Sequence, residues 1–172
     1  LSAEVIRAVH EGDADIGICH PQANIGDLAR RPYRRDRLVL VVPHNHPLAV
    51  MPAVRFVDTL EYDHVGLHSN SSIYLATRRA AAAADRTLKL RVQVTGLHAM
   101  CRMNHTGLGI GLLPHRAFDL LHSMGALRAV PLLDDWAERD IQLVARDFAA
   151  LPVTARLLVD HLCAAGGLEA PR

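Results

Sequence analysis

The sequence predicts an α/β fold, in which helices cover the faces of a parallel sheet. In segment 91–114, RVQVTGLHAMCRMNHTGLGIGLLP, alternating residues predict a strand, apolar residues at helical spacing predict a short helix, and an apolar run predicts a second strand. Such a strand–helix–strand unit requires a parallel sheet with helices on its faces. At the start of the chain, an amphipathic helix, a Gly12-Asp13 turn and the strand core Ile16-Gly17-Ile18 indicate a second unit of the α/β type.

The composition narrows the class of protein. A chain of 172 residues that is 50% hydrophobic can bury a core, as one domain or two small ones. A net charge of +1 demands neither a nucleic-acid nor a membrane partner. Three widely spaced cysteines give no disulfide framework and fit a reducing cytoplasm. The sequence has no apolar run of 18 residues, so it predicts no transmembrane helix, and its first residues predict an amphipathic helix instead of a signal peptide.

The first third of the chain predicts one helix and three strands. Ser2 is placed to cap a helix that runs to about His10, and residues 14–19 form a strand. The loop 20–24 follows the carboxyl end of that strand, where ligands bind in open α/β sheets. Residues 28–32 predict a short strand, and the strongly hydrophobic residues 38–43 predict another.

An arginine-rich segment separates these last two strands. Its five arginines fall within eight residues: Arg30, Arg31, Arg34, Arg35 and Arg37. The favoured interpretation is a solvated connecting segment, with a subunit contact or an anion site as open alternatives. A nucleic-acid patch is less favoured, because Tyr33 is the only aromatic residue among the arginines.

The middle of the chain contains a polar cluster, Ser69-Asn70-Ser71-Ser72, between a strand at 64–68 and a helix from about residue 73 to 84. Serine and asparagine ahead of a helix supply caps, free backbone N–H groups and hydroxyls in one place. A plain helix cap and a small-anion loop both remain open, and both hold if the loop faces a cleft.

The glycines of segment 107–111 are predicted to be turn and packing devices. Gly107 is predicted to end the helix of segment 91–114 in a left-handed conformation. Gly109 and Gly111 have no side chain, so another backbone segment can approach the chain closely at these positions. A phosphate-binding loop lies at the start of a helix, so glycines at the end of one argue against it. Further on, a helix is predicted at 117–121, strands at 127–132 and 140–146 with Gly125 turning into the first, and a final helix from Pro152 to Gly166-Gly167.

The sequence shows no convincing catalytic motif and no convincing set of metal ligands. His98, Cys101 and His105 lie at i, i+3 and i+7 and could offer three ligands, but the neighbouring Leu97 and Met100 favour a helix packed in a core. The sequence lacks Gly-x-Ser-x-Gly and a recognisable Cys–His pair, and Asp13/Asp15 and Asp134/Asp135 are typical of turns. His44, His46, His64 and His68 are interpreted as turn or surface residues. We therefore predict no catalytic residue, no metal and no cofactor.

Seven motifs, in this order and spacing, resemble one family over nearly the whole chain. They are residues 11–18, 36–43, 46–49, 107–114, 125–127, 130–132 and the closing strand 141–146 with its helix. Together they are similar to the effector-binding (substrate-binding) domain of LysR-type transcriptional regulators.

The resemblance implies a periplasmic-binding-protein-like fold with two α/β subdomains, two crossover strands and a ligand cleft. Subdomain I would hold residues 1–35 and 139–172, and subdomain II residues 36–138, with the hinge near the arginine-rich segment and residues 136–139. The family's winged helix-turn-helix DNA-binding domain is absent from this sequence. We also expect subdomain I to be incomplete, because the chain starts at what corresponds to the second helix of the regulatory domain.

The resemblance also implies a set of effector contacts. They are Ser2, Cys19, His20, Ser69, Asn70, Ser71, Ser72, Thr95 and Gly96. Hydroxyls beside helix N-terminal N–H groups suit a small carboxylate or similar anion, and a neutral metabolite remains open.

The function implied is a cytoplasmic ligand-sensing domain that controls transcription. It would bind a small-molecule effector, reach DNA only through the missing N-terminal domain, form a homodimer or homotetramer in the full-length protein, and have no membrane partner. Two alternatives share the fold: a solute-binding protein of a transporter, and an enzyme such as a deaminase-type or prephenate-dehydratase-like module.

Overall fold

The computed structural model describes residues 2–20, 24–121 and 126–166. The chain divides into two compact units, Leu1–Asp36 with Arg139–Arg172 (unit 1) and Arg37–Glu138 (unit 2). The predicted turn at Gly125, the loop residues 21–23 and the closing Gly167 lie outside the described residues.

Six α-helices and seven strands make up the described part of the chain. In chain order they are α1 (Ser2–Glu11), β1 (Ile16–Cys19), β2 (Ala29–Pro43), α2 (Phe56–Thr59), β3 (His64–Leu67), α3 (Ser72–Ala83), β4 (Leu90–Val94), α4 (Leu97–His105), β5 (Gly111–Pro114), α5 (His115–Leu121), β6 (Leu127–Pro131), β7 (Glu138–Ala145) and α6 (Val153–Gly166). Short 3-10 helices occupy Pro47–Val50 and Asp135–Ala137.

Unit 1 is built on β1, β7 and the first half of β2. β1 pairs antiparallel with β7, with Ile16 opposite Ala145 and Cys19 opposite Gln142, and β7 is followed by β2 in the sheet. The predicted helix and strand at the start of the chain are confirmed. Gly17 allows the helix to pack closely, because a Cβ there would lie 2.5 Å from Val5 Cγ1 of α1.

The arginine-rich segment is part of a strand, so its prediction as a connection between two strands is wrong, whereas its prediction as solvated holds for Arg30, Arg31 and Arg35, which are exposed. β2 is one continuous strand of 15 residues, where the sequence predicted two strands with a connection between them. Arg31 stacks on the Phe148 ring at 4.5 Å, and Arg35 forms an ion pair with Asp140 at 3.0 Å. These contacts come from residues more than 100 positions away in sequence, and a local pattern does not reveal them.

Unit 2 contains both parallel and antiparallel strand pairs. β3 pairs parallel with β4, and β2 pairs antiparallel with both β5 and β6. Ile110, just before β5, forms a parallel bridge to the start of β3: the Val65 N–H donates to the Ile110 carbonyl at 2.8 Å, and the Ile110 N–H donates to the Asp63 carbonyl at 2.9 Å. The predicted strand–helix–strand unit is therefore present, but β4 and β5 are not neighbours, and each contacts β3.

The glycines after α4 have the predicted roles. Gly107 has φ +76°, its N–H donates to the Asn104 carbonyl at 3.0 Å, and the Leu108 N–H donates to the Met103 carbonyl at 3.1 Å. These two bonds form a Schellman motif that ends the helix. A Cβ on Gly109 would lie 2.7 Å from the Asp63 carbonyl oxygen, so this glycine permits the close contact between the chain before β5 and the residue preceding β3.

Candidate ligand-binding site

The polar cluster and Thr95-Gly96 lie at the same edge of the β3–β4 pair. β3 and β4 run parallel to each other, and the last residue of β3, Leu67, lies opposite the last residue of β4, Val94. The loops that follow them therefore start side by side. Gln93 strengthens this edge, because its side-chain amide donates to the Leu67 carbonyl at 3.2 Å.

Ser71 is the N-cap of α3. Its Oγ accepts a hydrogen bond from the Tyr74 N–H at 3.2 Å, and its side chain is only 5% exposed. The helix-cap interpretation is therefore confirmed. A hydroxyl that accepts this bond still carries a proton that it can donate, so the anion-loop interpretation remains compatible with the cap.

The rest of the polar cluster is accessible. Ser69, Asn70 and Ser72 are exposed, and Ser72 is the first residue of α3. The first N–H groups of an α-helix have no acceptor within the helix and carry a partial positive charge. The start of α3 thus offers both hydroxyls and backbone donors at the carboxyl edge of β3.

The start of α4 lies in open space. Gly96 is its N-cap in an extended conformation (φ −147°, ψ 158°), and no side-chain bond caps the helix. A Cβ on Gly96 would meet no atom of the described residues within 4 Å, and Thr95 beside it is exposed. The N-termini of α3 and α4 therefore follow strands that end at one edge of the sheet, with Ser72 and Thr95 exposed beside them, and their backbone N–H groups favour an anion.

The remaining predicted contacts belong to unit 1. Ser2 is half-buried in the first turn of α1, and Cys19 ends β1 with 3% exposure in a cluster with Val9 and Val144. Burial raises the pKa of the Cys19 thiol, so Cys19 is protonated at neutral pH. The structure thus places Cys19 in the core, whereas Ser2 and His20 are both partly exposed.

His20 is half-buried after β1 and is uncharged at neutral pH. Burial lowers its pKa, the nearby Arg139 guanidinium lowers it further, and Asp140 partly opposes both effects. A neutral imidazole has both a hydrogen-bond donor and an acceptor.

The histidine–cysteine face of α4 does not form a metal centre. His98 and His105 are exposed, whereas Cys101 is fully buried and its thiol pKa is raised by burial. Metal binding requires the thiolate, which burial disfavours. Within residues 2–20, 24–121 and 126–166, no group of three or more His, Cys, Asp or Glu side chains could hold a metal ion.

No helix in this part of the chain is long and apolar enough to span a membrane.

A buried ion pair lies near His20, and no sequence motif predicts it. Asp36 and Arg139 are 3.0 Å apart, and their side chains are only 11% and 10% exposed. The signal was present as two short runs of alternating charge, 35–37 and 138–140. It could be interpreted only once β2 and β7 were known to be neighbours.

Residues 1–166 match the family model described as the LysR substrate binding domain, and the chain therefore belongs to that family. A relative from Methanocaldococcus jannaschii, the uncharacterized HTH-type transcriptional regulator MJ0300, is 28% identical over 154 residues, which is 83% of this chain and 49% of that protein. A probable RuBisCO transcriptional regulator of Synechocystis is 24% identical over 104 residues, 59% of this chain and 30% of that protein. The chain thus spans half or less of the length of these relatives.

Solved structures of the same family share the fold. The CcmR regulatory domain of Synechocystis in complex with 2-PG superposes with a TM-score of 0.85 at 16% identity, covering 96% of this chain and 80% of that one. The effector-binding domain of QuiR in complex with shikimate gives 0.80 at 20% identity, covering 95% and 77%. The chain therefore has the periplasmic-binding-protein-like fold of LysR effector-binding domains, as predicted.

Proposed function

We propose that this domain senses a small anionic effector, most simply a carboxylate, at the edge where α3 and α4 begin. The observation that carries the proposal is the pair of helix N-termini after the adjacent parallel strands β3 and β4, each with an exposed hydroxyl residue beside it, Ser72 or Thr95. Two sets of N-terminal N–H groups give a partial positive charge, and the hydroxyls of Ser69, Ser71 and Thr95 add donors. Asn70, Ser72 and Gly96 belong to the same proposed site on unit 2.

On unit 1, the family resemblance supports three further candidate effector contacts: Ser2, Cys19 and His20. Of these, His20 is the strongest candidate for direct contact, because it is half-exposed and neutral. Cys19 acts from within the core by supporting the end of β1. We expect substitution of His20 to weaken effector binding more than substitution of Cys19 by a residue of similar volume.

The two relatives solved with ligands support the choice of an anion. Their ligands are shikimate and 2-PG, and both molecules carry a carboxylate. In the full-length protein, we propose that effector binding controls transcription by shifting the population of states that bind DNA through a separate domain. The sensor acts in the cytoplasm as part of a homodimer or homotetramer, and it has no catalytic activity.

A thermal-shift comparison of matched ligands tests the anion proposal. Small monocarboxylates, including shikimate, are each compared with the corresponding carboxamide, which has nearly the same shape and no charge. At 100 times its Kd, a bound carboxylate should stabilise the domain by about 2.7 kcal/mol, while its carboxamide should have little effect. Equal stabilisation by acid and amide would contradict an anion site.

A further inference from the structure

Three ion pairs join β2 and β7 at the two points where the chain passes from one unit to the other. Arg35 pairs with Asp140 at 3.0 Å, Asp36 with Arg139 at 3.0 Å, and Arg37 with Glu138 at 2.8 Å. The unit boundaries fall between residues 36 and 37 and between 138 and 139, within this set of pairs. We call the three pairs the charge ladder.

The charges of the ladder alternate along both strands. β2 presents Arg-Asp-Arg at 35–37, and β7 presents Asp-Arg-Glu when it is followed backwards from 140 to 138. Each step forward on β2 corresponds to one step back on β7, so every residue faces an opposite charge. A slip of one residue would instead place Arg35 against Arg139 and Asp36 against Glu138, and like charges placed opposite each other are destabilising.

The central pair differs from the two outer pairs in its burial. The Asp36 and Arg139 side chains are 11% and 10% exposed, whereas those of Arg35 and Asp140 are 77% and 56% exposed. Exposed pairs contribute little because water and salt screen them. Removal of one member of a buried pair is costly, since it leaves an uncompensated charge in the interior.

We propose that the charge ladder is a latch that holds the two connecting strands together in one register, and that the Asp36–Arg139 pair is its essential part. Alternation of charge specifies the register, and burial makes the central pair costly to break. The two connecting strands therefore open and close together as a pair, instead of each opening independently of the other.

Hydrogen–deuterium exchange of the ligand-free protein tests the latch. We expect Asp36→Asn to accelerate amide exchange at residues 34–38 and 137–141 by roughly tenfold or more, because Arg139 loses its partner. Exchange in β3 and β4 should stay within about threefold of the original protein, as expected for local opening. The double variant Asp36→Asn/Arg139→Gln removes both charges and should restore protection to within about threefold.

The outer pair provides the matched control. Asp140→Asn removes a carboxylate charge, as Asp36→Asn does, but from an exposed position, and it should change exchange by less than about threefold. The latch is contradicted if Asp36→Asn leaves 34–38 and 137–141 unchanged, or if it accelerates exchange equally throughout the chain. If Asp36→Asn does not fold, the double variant decides: near-normal protection supports the latch, and loss of protection or of folding overturns it.

Discussion

At the scale of single residues, His64 shows how burial changes the pKa of a side chain. The sequence predicts a turn or surface residue, and this prediction is wrong, because His64 is only 2% exposed at the start of β3. Its Nδ1 lies 3.0 Å from the Tyr62 carbonyl oxygen and its Nε2 3.2 Å from Thr59 Oγ1. Burial disfavours the charged imidazolium and lowers the pKa of His64 to about 4. The Tyr62 carbonyl and Asp63 favour the imidazolium and raise the pKa, but their effect is smaller than that of burial.

Stability should therefore fall as the solution is acidified. An unfolded histidine has a pKa of about 6.5, so the contribution of neutral His64 is fully present above that pH and is lost as pH falls toward about 4. The pKa difference implies a loss of about 2 kcal/mol in the free energy of unfolding between pH 7.5 and pH 5. Urea unfolding at the two pH values measures it.

Two histidine variants separate His64 from the other titrating groups. His64→Gln should remove most of this pH dependence, whereas His44→Gln should keep it because His44 is exposed. The same slope in the protein with and without His64 would contradict the assignment.

At the scale of elements, backbone conformation decides which glycines matter. Gly107 occupies the left-handed region at φ +76°, whereas Gly96 is extended at φ −147°, and both have open space where a Cβ would lie. The sequence predicted the helix end at Gly107 because only glycine adopts that conformation at little cost. A Cβ would fit at either position, so the two glycines differ only in their backbone conformation.

A matched pair of alanine variants tests this distinction. We expect Gly107→Ala to lower the free energy of unfolding by about 1–2 kcal/mol, the cost of a left-handed conformation for a residue with a Cβ. Gly96→Ala should change it by less than about 0.5 kcal/mol, because its conformation suits any residue. Equal effects of the two variants, measured by urea unfolding, would show that the helix end does not depend on Gly107.

At the scale of the whole molecule, the sequence predicted more of the fold than of the site. Local periodicity predicted α1, α3, α4 and most strands, and the order of motifs predicted the family. It failed for β2, because the arginines lie in a strand beside β7 and pair with acidic residues about 100 positions away. For the site, strand order was needed to bring Ser69–Ser72 next to Thr95, and burial was needed to separate His20 from Cys19.

The most direct test of the sensor is isothermal titration of the carboxylate that gives the largest thermal shift. Thr95→Val removes one exposed hydroxyl at the start of α4 and keeps the side-chain shape, so Kd should rise by roughly 10–100-fold, as for loss of a hydrogen bond to a charged group. Thr106→Val makes the same change at the other end of α4 and should leave Kd within about twofold. If Thr95→Val binds as tightly as Thr106→Val, the effector does not contact the proposed edge, and this account of the domain is contradicted.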